Sequence, residues 1–348
     1  MRRRAVTGPR RTRLFLGLWL CLVLGPGLGA SDVLGGRQLP GPAPQGRSQP
    51  AAALNAECER CHPEIAAEWR DSYHRRAYSD EAFQRALARE PLPFCRRCHA
   101  PEADPRRDAA GWARESGVAC VTCHVFSDRI FTGVGGTPAT EPPPHPVQRE
   151  PRLSSSAACA GCHEFQFPDA QARRRPELMQ ATLAEHRASA AAERSCIDCH
   201  MPRQADGHRS HRFLGGHDAQ TVRGALMIRA RREPGAIVLE LVPQAVGHAL
   251  PTGDLFRRIT VEVEAPGGAV TARYLMRQFV SERQLGSRPV RVTEADSRLV
   301  GPTALRFPSA AGPVRYRVRY QRVAFPKDHR GGAAEIDGEI ELAAGTLP

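Results

Sequence analysis

The chain has 348 residues, a formal net charge of +12, eleven cysteines and only 6% aromatic residues. The basic excess does not point to nucleic acid, because six arginines sit within residues 1–13 and no basic tract is interleaved with aromatics. The cysteine spacing, described below, does not read as an ordinary disulfide framework.

Residues 1–30 open with those arginines, continue through the apolar run Leu14–Leu24 and end in Gly25-Pro26-Gly27-Leu28-Gly29-Ala30. This is the pattern of a cleaved secretory signal peptide, and the apolar run is well short of the roughly 20 residues of a membrane-spanning helix. Cleavage is expected near Ala30, which removes Cys21 and the six arginines, lowers +12 to +6 and sends the mature chain to the periplasm. Residues 31–50 are rich in Gly, Pro and Gln without periodicity and read as a flexible linker.

From residue 51 to about 220 the chain carries five copies of one pentapeptide. They are Cys58-Glu59-Arg60-Cys61-His62, Cys95-Arg96-Arg97-Cys98-His99, Cys120-Val121-Thr122-Cys123-His124, Cys159-Ala160-Gly161-Cys162-His163 and Cys196-Ile197-Asp198-Cys199-His200. C-x-x-C-H is the attachment signal for a c-type haem: two thiols a short turn apart form thioethers to one porphyrin, and the following His ligates its iron. A bare C-x-x-C could equally be half a zinc site or a redox dithiol, but neither chemistry demands a His directly after each pair. Five covalent haems c are therefore expected. Their propionates, set against the ferric irons, contribute about −5 and bring the mature charge close to neutral.

This region has little sustained apolar patterning, so the macrocycles are expected to form its core with short helices around them. Helices are expected over Pro63–Arg75, Asp80–Glu90, Asp108–Ser116 and Pro168–Ala192, and an irregular loop over Thr132–Pro146. The stretch Glu68-Trp69-Arg70-Asp71-Ser72-Tyr73-His74 recurs weakly as Glu185-His186-Arg187-Ala188-Ser189-Ala190-Ala191. In that alignment His186 takes the place of Trp69, a packing slot.

Beyond residue 220 cysteine disappears and strands are expected over Val222–Arg231, Ala236–Leu241, Arg258–Glu264, Ala269–Phe279, Val314–Val323 and Glu335–Leu342. Their number and spacing fit an antiparallel β-sandwich over residues 221–348, with a domain boundary near 220.

Each motif supplies one axial ligand, and the opposite face decides the chemistry: a second protein ligand closes the iron for electron transfer, whereas an empty face admits a substrate. Eight histidines lie outside the motifs. His74 follows the first motif, His145 sits between two prolines, His211 and His217 flank Phe213-Leu214-Gly215-Gly216, and His248 lies in Gly247-His248-Ala249-Leu250-Pro251-Thr252-Gly253. These are the five distal candidates, with His186, His208 and His329 held in reserve.

The quoted residues resemble the cytochrome c-554 type of multihaem cytochromes. The likeness rests on Glu68-Trp69-x-x-Ser72-x-His74, Cys159-x-x-Cys162-His163-Glu164-Phe165, Met179-Gln180-x-Thr182-x-x-Glu185 and Cys196-x-x-Cys199-His200-Met201-Pro202 before His211. The Gly247–Gly253 loop is similar to one in β domains appended to bacterial multihaem cytochromes. The resemblance covers most of residues 55–255 and implies haems packed in close pairs that conduct electrons; it departs at His186, where Trp is usual.

The expected function is periplasmic electron transfer with redox partner proteins or a quinone-linked membrane complex, and with no nucleic-acid partner. The alternative is a multihaem oxidoreductase with one open haem acting on a small nitrogen or sulfur species. A third reading makes the β domain a docking module.

Overall fold

The computed structural model describes residues 46–134, 144–167, 177–253, 256–282, 290–309, 311–327 and 332–348. All of them fall in one compact unit, residues 39–348; the second unit, residues 1–38, lies outside the described residues together with the expected leader. His329 and residues 135–143 of the expected irregular loop also lie outside them.

The haem region is built from helices of one to three turns. α1 (Ala51–Cys61) and α2 (Pro63–Asp71) meet at His62, with Pro63 in the first turn, where a missing N–H costs nothing. α2 stops before the expected Arg75, because Ser72 turns out of the helix and its Oγ donates to Trp69 O at 2.7 Å. α3 (Glu81–Arg89) is capped by Asp80, whose side chain accepts from Phe83 N at 3.0 Å. α4 (Pro93–His99), α5 (Gly111–Ser116) and α6 (Cys120–His124) follow, α5 being shorter than the expected Asp108–Ser116. A small sheet of β1 (Val125–Phe126), β2 (Arg129–Thr132) and β3 (Gln148–Arg149) then leads to α7 (Ala157–His163).

The largest correction concerns the helix expected over Pro168–Ala192. Residues 168–176 lie outside the described residues, and Leu178–Ala181 is a strand, β5, paired antiparallel with β4 (Glu164–Gln166). Among the described residues of that span, only Thr182–Arg187 is helical, α8. The apolar spacing that suggested a helix instead serves packing, with Met179 against the cluster of Phe167, Phe256 and Phe279. α9 (Cys196–His200) closes the region; Ser195 N and Oγ both donate to Asp198 Oδ2, at 2.9 and 2.8 Å.

The first strand expected beyond residue 220 begins later. Ala219–Gly224 is a helix, α10, capped by Asp218, and Val222 reaches the core from that helix. β6 (Leu226–Glu233), β7 (Ala236–Pro243) and β12 (Thr303–Pro308) form one sheet in the order β12-β7-β6. β8 (Arg257–Glu264), β9 (Val270–Leu275), β13 (Val314–Pro326) and β14 (Ala334–Leu347) form another, in the order β14-β13-β8-β9. The strand expected over Ala269–Phe279 divides at Met276, and its second half becomes β10 (Arg277–Glu282), paired with β11 (Val290–Asp296). Every pairing in this region is antiparallel.

One apolar core joins the two larger sheets: Ile237, Leu239 and Leu241 from β7 meet Ile259, Val261 and Val263 from β8, with Phe307, Val318 and Ile340 completing it. The i, i+2 spacing in both central strands is the period that sends one face inward. By contrast, the clusters around Trp69 and Tyr78 in the haem region contain four buried residues each. The end of the expected flexible linker is anchored on them. Arg47 pairs with Glu102 at 2.5 Å and donates to Val121 O and Val125 O at 2.9 and 3.0 Å.

Candidate haem sites

Each C-x-x-C-H folds as, or at the end of, a short helix, so its two thiols project one turn apart and the His follows on the next step. The ten motif cysteines, Cys58 to Cys199, form no disulfides in the structure. Thiols of different motifs also approach one another. Desolvation and then Cys58 push Cys120 up to about 12, and desolvation and then Cys162 push Cys123 up to about 12. A hydrogen bond with Cys162 raises Cys98, and one from Cys159 pulls Cys196 down to about 5. The third motif thus adjoins the first and the fourth, and the fourth adjoins the second and the fifth.

Four imidazole pairs face each other at nearly one separation. Ring centroids lie 6.3 Å apart for His62 and His145, 6.2 Å for His74 and His163, 6.2 Å for His124 and His211, and 6.3 Å for His200 and His248. A metal–nitrogen bond of about 2.0–2.1 Å places an imidazole centroid roughly 3.2 Å from the metal, so two opposed ligands stand roughly 6.3 Å apart. The spacing fits one iron between each pair.

The tautomers fit as well. Nδ1 of His124, His200, His211 and His248 donates to the carbonyl of Phe131, Leu214, Arg209 and Ala249, at 2.8, 2.8, 2.7 and 3.0 Å. With the proton held on Nδ1, the Nε2 lone pair is left for a metal. Desolvation and neighbouring histidines draw His74 down to about 3 and His163 to about 4; desolvation and then His124 draw His211 to about 4. These rings are neutral near pH 7, which is the form that binds metal. Backbone fit adds to the case at His74: Val118 N donates to its carbonyl at 2.8 Å, and a Cβ on Gly117 (φ +53°) would stand 2.4 Å from that oxygen.

All five motifs line a single continuous cavity of about 2950 Å³. A small-molecule site measures on the order of 300–1,000 Å³, so this space has the scale of several cofactors. His145 Nδ1 is buried in it with no hydrogen-bond partner among the described residues.

The remaining histidines are placed differently. His99 stacks on Phe83 at 3.7 Å with its Nδ1 donating to Ala77 O at 2.6 Å. His217, expected as a distal ligand, lies against Tyr73 with centroids 3.8 Å apart and Arg257 at 3.5 Å from Nε2. His186 directs both ring nitrogens at carbonyls, Gly247 O at 2.8 Å and Arg194 O at 2.7 Å, so it holds backbone.

His208 sits 2.6 Å from Asp206 and 3.4 Å from Glu68. Desolvation opposes its protonated form, but the two carboxylates outweigh it and raise the pKa above 6.5. Because the folded value exceeds the unfolded one, this contribution to stability is complete below pH 6.5 and is lost as pH rises through the folded value. Thermal stability of the holoprotein is expected to fall over that range, with a shallower fall in His208→Gln; identical slopes would discard the assignment.

Several residues with a role here carried no assignment from sequence. Gln180, whose amide lies 3.2 Å from His163 Nδ1, and Glu185 both belong to the stretch Met179-Gln180-x-Thr182-x-x-Glu185. A signal was present in that spacing, but it named no partner.

Residues 57–125 match the family model described as cytochrome c554 and c-prime. The fold is similar to that of a penta-heme cytochrome c552 from Thermochromatium tepidum, with a TM-score of 0.66, 22% identity, and coverage of 86% of this chain and 100% of that one. No curated protein matches the sequence. The repeated attachment motifs, the opposed imidazoles and the β-rich C-terminal region fit the fold of a multihaem c-type cytochrome, to which the matched stretch and the similar structure both point.

Proposed function

We propose that this protein carries five covalent haems c and relays electrons outside the cytoplasm, exchanging them with redox partner proteins or a quinone-linked membrane complex. The observation that carries the reading is the set of four imidazole pairs at 6.2–6.3 Å. Haem c supplies one-electron iron chemistry when bound. The chain would hold each group through two thioethers, and Nδ1 hydrogen bonds orient the imidazoles of His124, His200, His211 and His248. Bis-histidine ligation is assigned to His62 with His145, His74 with His163, His124 with His211, and His200 with His248. Cys95, Cys98 and His99 hold the remaining haem. Residues 221–348 are read as an antiparallel sandwich, supported by the core shared between the two larger sheets.

The test combines mass and ligand binding on holoprotein matured by export. Five haem additions are expected, with low-spin spectra for the four paired irons and no carbon monoxide binding at them after reduction. Fewer additions, or carbon monoxide bound at several irons, would overturn the relay. Stoichiometric binding at one haem with turnover of nitrite or hydroxylamine would replace it with the oxidoreductase reading.

A further inference from the structure

The repeated stretch noted in the sequence acquires a physical meaning in the fold. Glu68 on α2 and Glu185 on α8, equivalent in the repeat, each grip a segment that carries a distal histidine. Glu68 Oε2 accepts from the backbone N of His211 at 2.7 Å and Oε1 from Ser210 Oγ at 3.3 Å. Glu185 Oε2 accepts from Thr252 Oγ1 at 2.6 Å, four residues beyond His248. The residues that follow them also correspond: Trp69 Nε1 donates to Val118 O at 2.8 Å, and His186 Nδ1 stands 2.8 Å from Gly247 O, beside His248.

The loop of residues 247–253 is therefore held at both ends by α8, with His248 between the two grips. At one end a Cβ on Gly247 would stand 3.0 Å from Ala191 Cβ and 3.1 Å from His186 Nδ1, so a side chain there would crowd the approach of the loop. At the other end Thr252 meets Thr182 Oγ1 at 3.1 Å as well as Glu185. Arg298 completes the attachment: it pairs with Glu185 at 2.6 Å and with Asp296 at 2.7 Å, and donates to Pro251 O at 3.4 Å. The side chains of Arg298 and Glu185 are only 9% and 12% exposed, so the pair is largely desolvated.

We infer that Glu185 and His186 are positioning residues that clamp the β-region loop so that His248 stands opposite His200, and that Glu68 is the corresponding positioning residue for His211 opposite His124. The inference rests on the ligation reading above. It explains why His186 occupies a slot where Trp is usual: its ring nitrogens lie within hydrogen-bond distance of two backbone carbonyls, Gly247 O and Arg194 O, one on each side of the junction between the haem region and the loop.

The test uses the holoprotein with its haems attached. Glu185→Gln keeps the size of the side chain and weakens the pairing with Arg298; Thr252→Val leaves that pair intact and removes only the loop-side hydrogen bonds to Glu185 and Thr182. Both are expected to raise the high-spin ferric fraction to between the wild-type and His248→Ala levels, and to admit carbon monoxide at one haem after reduction. Added free imidazole should restore the low-spin spectrum, and neither change should add to His248→Ala. Glu68→Gln, acting at another iron, should add to His248→Ala. Wild-type spectra in both Glu185→Gln and Thr252→Val, with His248→Ala still altered, would overturn the clamp alone. An unaltered His248→Ala would remove the ligation reading itself. Spectral change at several haems that imidazole does not reverse would mean general unfolding, which also overturns the clamp.

Discussion

Replacing His248 by alanine is expected to turn one iron of the oxidised holoprotein from low spin to high spin, while leaving every haem covalently attached. The rings of His248 and His200 are nearly parallel, 10° apart, with centroids separated by 6.3 Å. Nδ1 of each is engaged by a carbonyl, Ala249 O and Leu214 O, which fixes both rings with Nε2 available. Alanine removes the only atom of that residue able to reach the metal, and Cys196 and Cys199 are untouched. Desolvation lowers the pKa of His248, so its ring is neutral at pH 7, the form that binds metal. Electron paramagnetic resonance of the two proteins at equal haem concentration reads the difference. Identical spectra would return the Gly247–Gly253 loop to a packing role and make the β region a passive neighbour of the haems.

Much of the site could be read from the sequence, because thioether attachment imposes a short local spacing that no longer-range contact alters. Four of the five expected distal histidines stand opposite a motif histidine and His217 does not, but which ring opposes which was not legible. His74 lies on the chain just after His62, yet it faces His163, while His62 faces His145. Which ring opposes which depends on how remote helices pack, and nothing local encodes it. The same reason explains the expected Pro168–Ala192 helix: Leu178 and Met179 have helical spacing, but pairing with β4 and contact with Phe256 and Phe279 decide the outcome. In the β region, apolar runs bounded by turn signals such as Glu233-Pro234-Gly235 and Pro266-Gly267-Gly268 identified β7 and β8. β12 was missed because Thr303-Ala304-Leu305-Arg306-Phe307-Pro308 ends in proline and shows its period only against β7, where Leu305 opposes Leu239.

Production in a host that exports the chain but cannot attach haem is expected to leave residues 51–218 unfolded while the β region persists. The cavity of about 2950 Å³ lies among the attachment motifs, and the apolar clusters beside it are small. An unfilled cavity costs about 24 cal/mol per Å³, so even a tenth of this volume left dry would cost about 7 kcal/mol. That matches the whole stability of a typical domain, about 5–15 kcal/mol. Flooding the space instead would expose its apolar walls and remove the gain that burial brings. The core joining β7 and β8 does not depend on that space: Ile237, Leu239, Ile259 and Val261 are fully buried against protein. Limited proteolysis should therefore destroy the helical half and leave a resistant fragment beginning near Ala219, with β-type circular dichroism and a cooperative melt. A protease-resistant haem-free segment spanning residues 51–218 would show that protein packing alone sustains it, and would overturn the view that the macrocycles are its core.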